Sequence, residues 1–389
     1  MLRIAITGGP GAGKTEISSH LMQKLEERGY KVLWVPESAT ELILNGIFPS
    51  ETISVDLFEK LLIEKQLQKE ALYEKAVSVM NPKKTIVFYD RGLLDTCAYI
   101  SKNQFVEFLK PYGLTYSDAL NRYDAVLHLV TAANGAEKFY QWNDPSKADV
   151  GNNAARKESP AEAREMDKKT LEAWLEHPHL RVFDNSTDFK GKVDRVLKEV
   201  FALLGEPIPK EIERKYLVYR PTEKDFAEFG VVSKVDIVQT YLNTKDYRTE
   251  RRVRQRGTIE NGFTFFYTEK RDIESAYSTA EAKILRMEKE EKISQRQYLN
   301  YLLEADTCLH QIVKQRICFV YRNQFFELDL YPFDDTYALL EIETNSTDDV
   351  INLPPFAQRF MVDVTLNHQY RNSSLAKEQN LRSILKESR

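Results

Sequence analysis

Cysteine is scarce in the 389-residue chain: Cys97, Cys308 and Cys318 stand far apart, are odd in number and lack CxxC spacing. Neither a disulfide framework nor a thiolate zinc site is indicated, which leaves buried or incidental thiols. Long hydrophobic runs are missing too. No stretch approaches the roughly 18 uninterrupted apolar residues of a membrane span, and the opening "MLRIAITGGP" has only a short apolar run before its glycines. A cytoplasmic protein without a transmembrane anchor is therefore expected. Nor does charge of one sign dominate: a formal net charge of −4 with a pI near 6.0 gives no global reason to expect nucleic acid, while leaving room for local basic patches. Internal repeats and low-complexity tracts are absent as well.

What is present is length for two domains, each able to build its own core. The first half alternates short β-branched runs with helical patterns: "RIAIT", a helix over about 14–28, "KVLWV", a long helix within about 52–80, "TIVFYD", "AVLHLV", "RVFDN" and a closing helix near 187–204. Nearly apolar strands alternating with helices predict an α/β fold whose parallel sheet is covered on both faces. At "LGEPIPKE", Gly205, Pro207 and Pro209 end the last helix and make a linker. Beyond it "VDIVQTYL", "ERRVRQR", "GFTFFYTEKRD", "IVKQRICFVY", "QFFELDLY" and "YALLEIET" read as strands of an α+β domain, with a helix over about 294–306 and a polar one near 374–387. The expected division is 1–206, a linker at 207–210, a second domain over 211–372, and a C-terminal helix or tail at 373–389.

"GGPGAGKT" follows a strand and precedes a helix, the context in which GxxxxGK[ST] signals phosphate binding. Gly8, Gly11 and Gly13 let backbone N–H groups close around phosphate oxygens. Lys14 reaches the outer phosphates and the Thr15 hydroxyl can hold Mg²⁺. The loops after the next strands carry Glu37, and Asp90 with Arg91, where ligands of such sheets sit. Asp90 is a candidate metal-side acid, Arg91 a stabiliser of a transferring phosphoryl group, and Glu37 either orients a nucleophile or simply caps a helix. The polar stretch from about 134 to 165 is too long for a plain connection, and its Arg156, Lys157 and Arg164 either close over a triphosphate or form a solvated basic run.

These segments, with "PESATEL", "FYDRGLLD" and "RKESPAEAREMD", resemble the P-loop domain that groups with the ribosylnicotinamide kinase part of NadR-type proteins and with the TRPL translocation defect family. The resemblance covers about residues 1–206, and its wider relatives are nucleoside and nucleotide kinases.

In the second half, "EIERKYLV" (211–218) poses a choice. In a strand, Glu211, Glu213 and Lys215 share one face, which is either solvated or lines something. The same two-residue spacing recurs at Arg252, Arg254 and Arg256, at Glu288 and Glu290, at Lys314 and Arg316, at Glu327 and Asp329, and at Glu341 and Glu343. Each of these strands then has one apolar and one charged face. With the apolar faces covered from outside by helices, the interior would be a polar channel. Lys215, Arg252, Arg254, Arg256, Lys270, Lys314 and Arg316 would bind a polyanion. Glu211, Glu213, Asp329, Glu341 and Glu343 would repel it unless a divalent cation intervened, and oxygen-only ligands favour Mg²⁺ or Mn²⁺.

The ordered set "EIERKYL", "RRVRQR", "YTEKR", "RMEKEE", "IVKQR", "FFELDLY" and "LLEIE" resembles the CYTH, or triphosphate tunnel metalloenzyme, superfamily over about 211–372. That resemblance implies an eight-stranded antiparallel tunnel that binds triphosphates with Mg²⁺ or Mn²⁺, with Glu213 and Glu341 among its catalytic acids. Together the two halves resemble the TRPL translocation defect family, which implies guanine-nucleotide and phosphoinositide binding and peripheral membrane association.

Three functions stay open. One is hydrolysis or transfer of phosphate, with ATP or GTP at the P-loop and an inorganic or organic triphosphate in the tunnel, including a small-molecule kinase acting through Glu37. The second is a GTP-regulated phosphoinositide-binding adaptor without turnover. Polynucleotide-end processing is the weakest, for want of a basic and aromatic surface array.

Overall fold

The computed structural model describes residues 1–80, 84–141, 158–206, 213–244, 246, 249–273, 285–344 and 349–382, the side chains of 271–273 and 285–288 excepted. Glu211, Arg156, Lys157, the linker at 207–210 and the side chain of Glu288 lie outside the described residues. The chain forms two compact units, Met1–Val200 and Phe201–Arg389.

The first unit is built on five parallel strands: β1 (Leu2–Thr7), β2 (Lys31–Val35), β3 (Thr85–Asp90), β4 (Ala125–Leu129) and β5 (Leu180–Phe183), in the order β2-β3-β1-β4-β5. Every residue of β4 is buried, as expected of a strand with helices on both faces. The helices are α1 (Lys14–Glu27), α2 (Ser38–Leu44), α3 (Val55–Val77), α4 (Lys102–Leu109), α5 (Tyr116–Leu120), α6 (Pro160–Ala173) and α7 (Phe189–Leu203). Local chemistry fixes their starts. Ser54 caps α3 through the Leu57 amide at 3.2 Å. In α6, Ser159 and Glu162 form a reciprocal capping box with Pro160 in the first turn. Between β1 and α1 the chain turns through positive φ at Gly8, Gly11 and Gly13 (141°, 73° and 84°). At Gly8 a Cβ would also collide with the Leu129 carbonyl, so that position admits no side chain.

The second unit is an antiparallel sheet. Its strands are β6 (Glu213–Tyr219), β7 (Ser233–Leu242), β8 (Thr249–Thr258), β9 (Gly262–Ile273), β10 (Leu285–Ile293), β11 (Ile312–Tyr321), β12 (Gln324–Leu330), β13 (Tyr337–Glu343) and β14 (Met361–Asp363). The hydrogen-bonded order is β10-β9-β8-β7-β11-β12-β13-β6-β14, eight long strands and a ninth of three residues. One face is apolar. Tyr216, Val218, Ile317, Phe319, Phe326, Leu328, Leu340 and Ile342 pack there beneath Phe226, Phe229 and Phe356. Less helix covers this face than expected: the first two of these aromatics belong to a 3₁₀ turn at Glu223–Phe226 and its continuation, the third to another at Pro355–Arg359. Among the described residues, the Leu242, Val253 and Tyr267 region lies under an α-helix, α8 (Gln295–Leu302), through Tyr298.

The opposite face is charged, but only along part of its length. At one end the same rows continue into Leu217, Tyr241, Ile312, Tyr331 and Leu339, which pack against Val364, Tyr370, Leu375, Ala376 and Leu381. An apolar layer, rather than more charge, therefore bounds this end of the expected channel. The C-terminal segment that supplies it is not the long helix expected near 374–387: among the described residues it is helical only at α9 (Asn372–Leu375). Tyr370 donates to the Leu381 carbonyl and Arg382 to Asp334, so the chain doubles back to bury Leu375 and Leu381.

Candidate phosphate-binding sites

Around the glycine-rich turn of the first unit, five ionisable side chains, Lys14, Glu37, Asp90, Arg91 and Asp95, meet near the carboxyl ends of β1 to β3. Arg91 adopts a left-handed backbone (φ 71°) directly after β3. Its Nε donates to Glu37 and its Nη1 lies 3.4 Å from Asp95 Oδ1. Burial works against the Glu37 carboxylate, but Arg91, Lys14 and the Thr40 hydroxyl outweigh it and bring its pKa down to about 2. Lys14 is pushed down, first by burial and then by Arg91, with Asp90, Glu37 and Asp95 opposing.

Asp90 is pushed up by burial, and its Oδ1 is a buried oxygen without a hydrogen-bond partner. An unpartnered carboxylate oxygen beside Lys14 has the chemistry of a cation-facing acid, so the donor set fits a divalent ion here. Thr15 is exposed at the start of α1. Arg164 is not drawn into the cluster; its Nη1 donates to the Ala133 carbonyl at 2.8 Å.

Sequence reasoning left two residues of this region without a role. Asp95, inside "FYDRGLLD", returns beneath β1 on a 3₁₀ turn, where it accepts from Thr7, from the Gly92 amide (2.8 Å) and from Trp174 Nε1 (3.4 Å). Asp167, on α6, accepts from the Gly9 amide at 2.6 Å. The spacing within "DRGLLD" was the only sequence signal for Asp95; nothing local pointed to Asp167.

In the second unit the strand register puts the expected residues on one face. Lys215 lies opposite Glu341, Arg316 opposite Asp329, Glu327 opposite Glu341 and Arg252 opposite Thr268. Two groups result. In the first, Lys215 Nζ sits 2.8 Å from Glu341 Oε1 and 3.5 Å from Glu213 Oε2. Arg316 reaches Asp329 Oδ1 through Nε and Glu341 Oε2 through Nη2, both at 2.7 Å, and Glu327 through Nη1. Lys314 pairs with Asp329. Burial raises the Glu341 pKa, but Lys215, Arg316 and Lys314 overcome that and hold it far below the carboxylate range.

In the second group Arg254 Nη2 pairs with Glu290 at 2.9 Å, and the Thr268 hydroxyl donates to the same carboxylate at 2.9 Å. Burial and the nearby Arg252, Arg256 and Arg316 push Arg254 down against the pull of Glu290. Its Nε is buried without a hydrogen-bond partner. Between the groups, β7 presents Val235, Ile237, Gln239 and Tyr241 in register with Arg316, Arg256, Arg254 and Arg252. This uncharged strip was invisible as a pattern in the sequence.

Lys270 lies opposite Glu288 and Glu343 opposite Glu213 in register, with Glu343 exposed. Both oxygens of Asp329 and Glu341 are engaged by lysine or arginine. Among the described residues no group of three or more His, Cys, Asp or Glu side chains is arranged to hold a metal ion. Among the described residues the two buried acids of this face, Asp329 and Glu341, are counter-ions of Lys215, Lys314 and Arg316.

Comparison with known proteins agrees with this two-part structure. The AAA domain family matches residues 3–192 and the CYTH domain family residues 209–360. The chain thus joins a P-loop, kinase-like AAA domain to a CYTH domain. Among solved structures, the inorganic triphosphatase NE1496 is 27% identical, covering 43% of this chain and 95% of its own, with a TM-score of 0.30. Thymidylate kinase from Ehrlichia chaffeensis is 16% identical, covering 52% of this chain and 98% of its own, with a TM-score of 0.35. None of the curated proteins matches the chain. Among the described residues no helix is long and apolar enough to cross a membrane.

Proposed function

We propose that the CYTH domain binds a triphosphate on its charged face and hydrolyses the terminal phosphoanhydride, while the AAA domain binds a nucleoside triphosphate, ATP or GTP. The observation that carries the first part is Arg254. It is a half-buried guanidinium crowded by three other arginines, with its Nε buried and unpartnered, and an incoming phosphate relieves both conditions.

In this reading Arg254 and its neighbours Arg252 and Arg256 take the phosphate oxygens from one side, and Lys215, Lys314 and Arg316 from the other. Glu341, held by two cations and strongly acidic, orients Lys215 and Arg316 rather than taking a proton. Glu213, the more exposed acid beside Lys215, is placed to orient a water and accept its proton. Water oxygen bonds to the terminal phosphorus, the bridging P–O bond breaks, and the shortened phosphate leaves with that oxygen and its electron pair. Mg²⁺ or Mn²⁺ is the cofactor expected of this class, and when bound it would neutralise charge on the phosphate chain.

In the AAA domain, Lys14, Thr15 and the amides after Gly11 would hold the nucleotide phosphates, and Asp90 with Thr15 would hold Mg²⁺, which neutralises phosphate charge when bound. Glu37 is better placed to fix Arg91 than to abstract a proton from an acceptor, since Arg91 occupies its carboxylate. The narrower likeness to TRPL translocation defect proteins would make the ligands GTP and a phosphoinositide, with binding and no turnover.

The test measures phosphate release and binding together for the full chain, using ATP, GTP, tripolyphosphate, thiamine triphosphate and phosphoinositide liposomes with Mg²⁺ or Mn²⁺. Release from at least one triphosphate, abolished in Glu213→Gln and kept in Lys14→Ala, is expected. Background release from every triphosphate alongside tight liposome binding would replace the hydrolase with the adaptor.

A further inference from the structure

The glycine-rich turn is held from outside by a side chain that no phosphate-binding pattern includes. Asp167 lies on the buried side of α6, where Ala163, Thr170 and Leu171 mark the packed stripe, and is 5% exposed. Its Oδ1 accepts from the Gly9 amide at 2.6 Å. The approach is so close that a Cβ on Gly9 would lie 2.7 Å from Asp167 Cβ and 2.9 Å from its Cα. On the other side His128 of β4, fully buried, brings Nε2 to 3.4 Å from the same Oδ1. Neither ring nitrogen of His128 has a hydrogen-bond partner within bonding geometry. A carboxylate is expensive to bury, and here it accepts from the Gly9 amide of the turn and from the Thr131 amide after β4, with the His128 imidazole beside it.

The same helix reaches the other flank of the site. Just past its end, Trp174 donates to Asp95, which in turn holds Thr7, the Gly92 amide and Arg91. So α6 touches the turn at Gly9 and the Arg91 clamp through Asp95, while the phosphate-facing amides of residues 11–15 stay clear of both contacts.

We infer that Asp167 is a positioning residue for nucleotide binding: by accepting the Gly9 amide it fixes the first bend of the turn, so that the later amides and Lys14 converge on phosphate. The inference rests on the nucleotide reading of the AAA domain. Side chains that hydrogen-bond an amide with a full charge carry enough energy that losing the contact costs about tenfold or more in an affinity that depends on it.

The experiment titrates fluorescent mant-ATP and mant-GTP, with Mg²⁺, into the full chain and its Asp167→Ala, Asp167→Asn, Gly9→Ala and double Gly9→Ala/Asp167→Ala variants. Urea unfolding followed by tryptophan fluorescence is run on each. Asp167→Ala is expected to weaken binding about tenfold or more. Asp167→Asn, which keeps an oxygen for the Gly9 amide, is expected to recover most of that loss. Gly9→Ala should cost a similar factor, and the double variant should be no weaker than Gly9→Ala alone, because a displaced turn has no contact left to lose.

Asp167→Ala binding like the wild type, Asp167→Asn as weak as Asp167→Ala, or multiplied losses in the double variant would each overturn the inference. So would an affinity loss that merely tracks the fraction unfolded. If the wild type itself binds neither nucleotide, the nucleotide reading has failed and this inference falls with it. Wild-type binding with unaffected variants refutes the inference alone.

Discussion

Glu59 offers a sharp test of the buried electrostatics of the AAA domain. It sits on α3, 3% exposed, with Oε2 buried and unpartnered; Thr96 is its hydrogen-bond partner. Burial raises its pKa from 4.5 to about 7, against the Thr96 hydroxyl. A carboxyl raised in the folded state binds its proton more tightly there than in the unfolded chain. Its contribution to stability is therefore complete below pH 4.5 and is lost as the pH rises through about 7. The whole change is worth about 3 kcal/mol.

Glu59→Gln keeps the shape and the Thr96 contact but has no proton to lose. All three tryptophans, Trp34, Trp142 and Trp174, lie in the first half of the chain, so urea unfolding followed by tryptophan fluorescence reads this unit alone. At pH 5 the variant should match the wild type to within about 1 kcal/mol, and at pH 8 it should exceed it by about 2–3 kcal/mol. Taking the difference between the two proteins cancels every other titrating group they share. A difference that does not change between pH 5 and pH 8, or that favours the wild type at pH 8, would refute the reasoning.

Three further outcomes follow from the same structure. Lys14→Ala should abolish mant-nucleotide binding while leaving tripolyphosphate binding by the CYTH domain within about twofold, read by the two titrations side by side. Glu341→Ala should destabilise the CYTH domain by about 3–5 kcal/mol, because Lys215 and Arg316 lose a shared carboxylate in a buried setting. Hydrogen exchange resolved by domain checks this, with the tryptophan transition unmoved. Ser159→Ala removes the cap of α6 and should lower the stability of the AAA domain by about 1 kcal/mol in the tryptophan-detected transition.

Much of this architecture was legible in the sequence because periodicity and turn chemistry are local. The apolar runs of β1 to β5 and the glycine-rich turn announce a parallel α/β domain. The two-residue spacing of "RRVRQR" and "LLEIE" puts Arg252, Arg254 and Glu341 on one face of their strands whatever the register.

What escaped depends on contacts between distant segments. Asp167 is 158 positions from Gly9, and nothing in its neighbourhood distinguishes it from the other charges of α6. The stripe of α3 that packs inward includes Glu59, Gln66 and Glu70, so burial there is not written in apolar residues. Likewise Leu375 and Leu381 are scattered apolar positions in a polar tail, and only the folded chain shows them packed over one end of the charged face. The ion pairs of Asp329 and Glu341 also escaped: spacing puts these acids on the charged face, and only the strand register sets them against Lys215, Lys314 and Arg316.

The proposed function requires two separate phosphate sites, with the triphosphate held by the charged face of the CYTH domain. Calorimetric titration of tripolyphosphate into the wild type, Lys14→Ala and Arg254→Ala tests it directly. Binding to the wild type and to Lys14→Ala with equal affinity, and at least tenfold weaker binding to Arg254→Ala, is the predicted result. Undiminished binding to Arg254→Ala, or binding lost in Lys14→Ala, would contradict it.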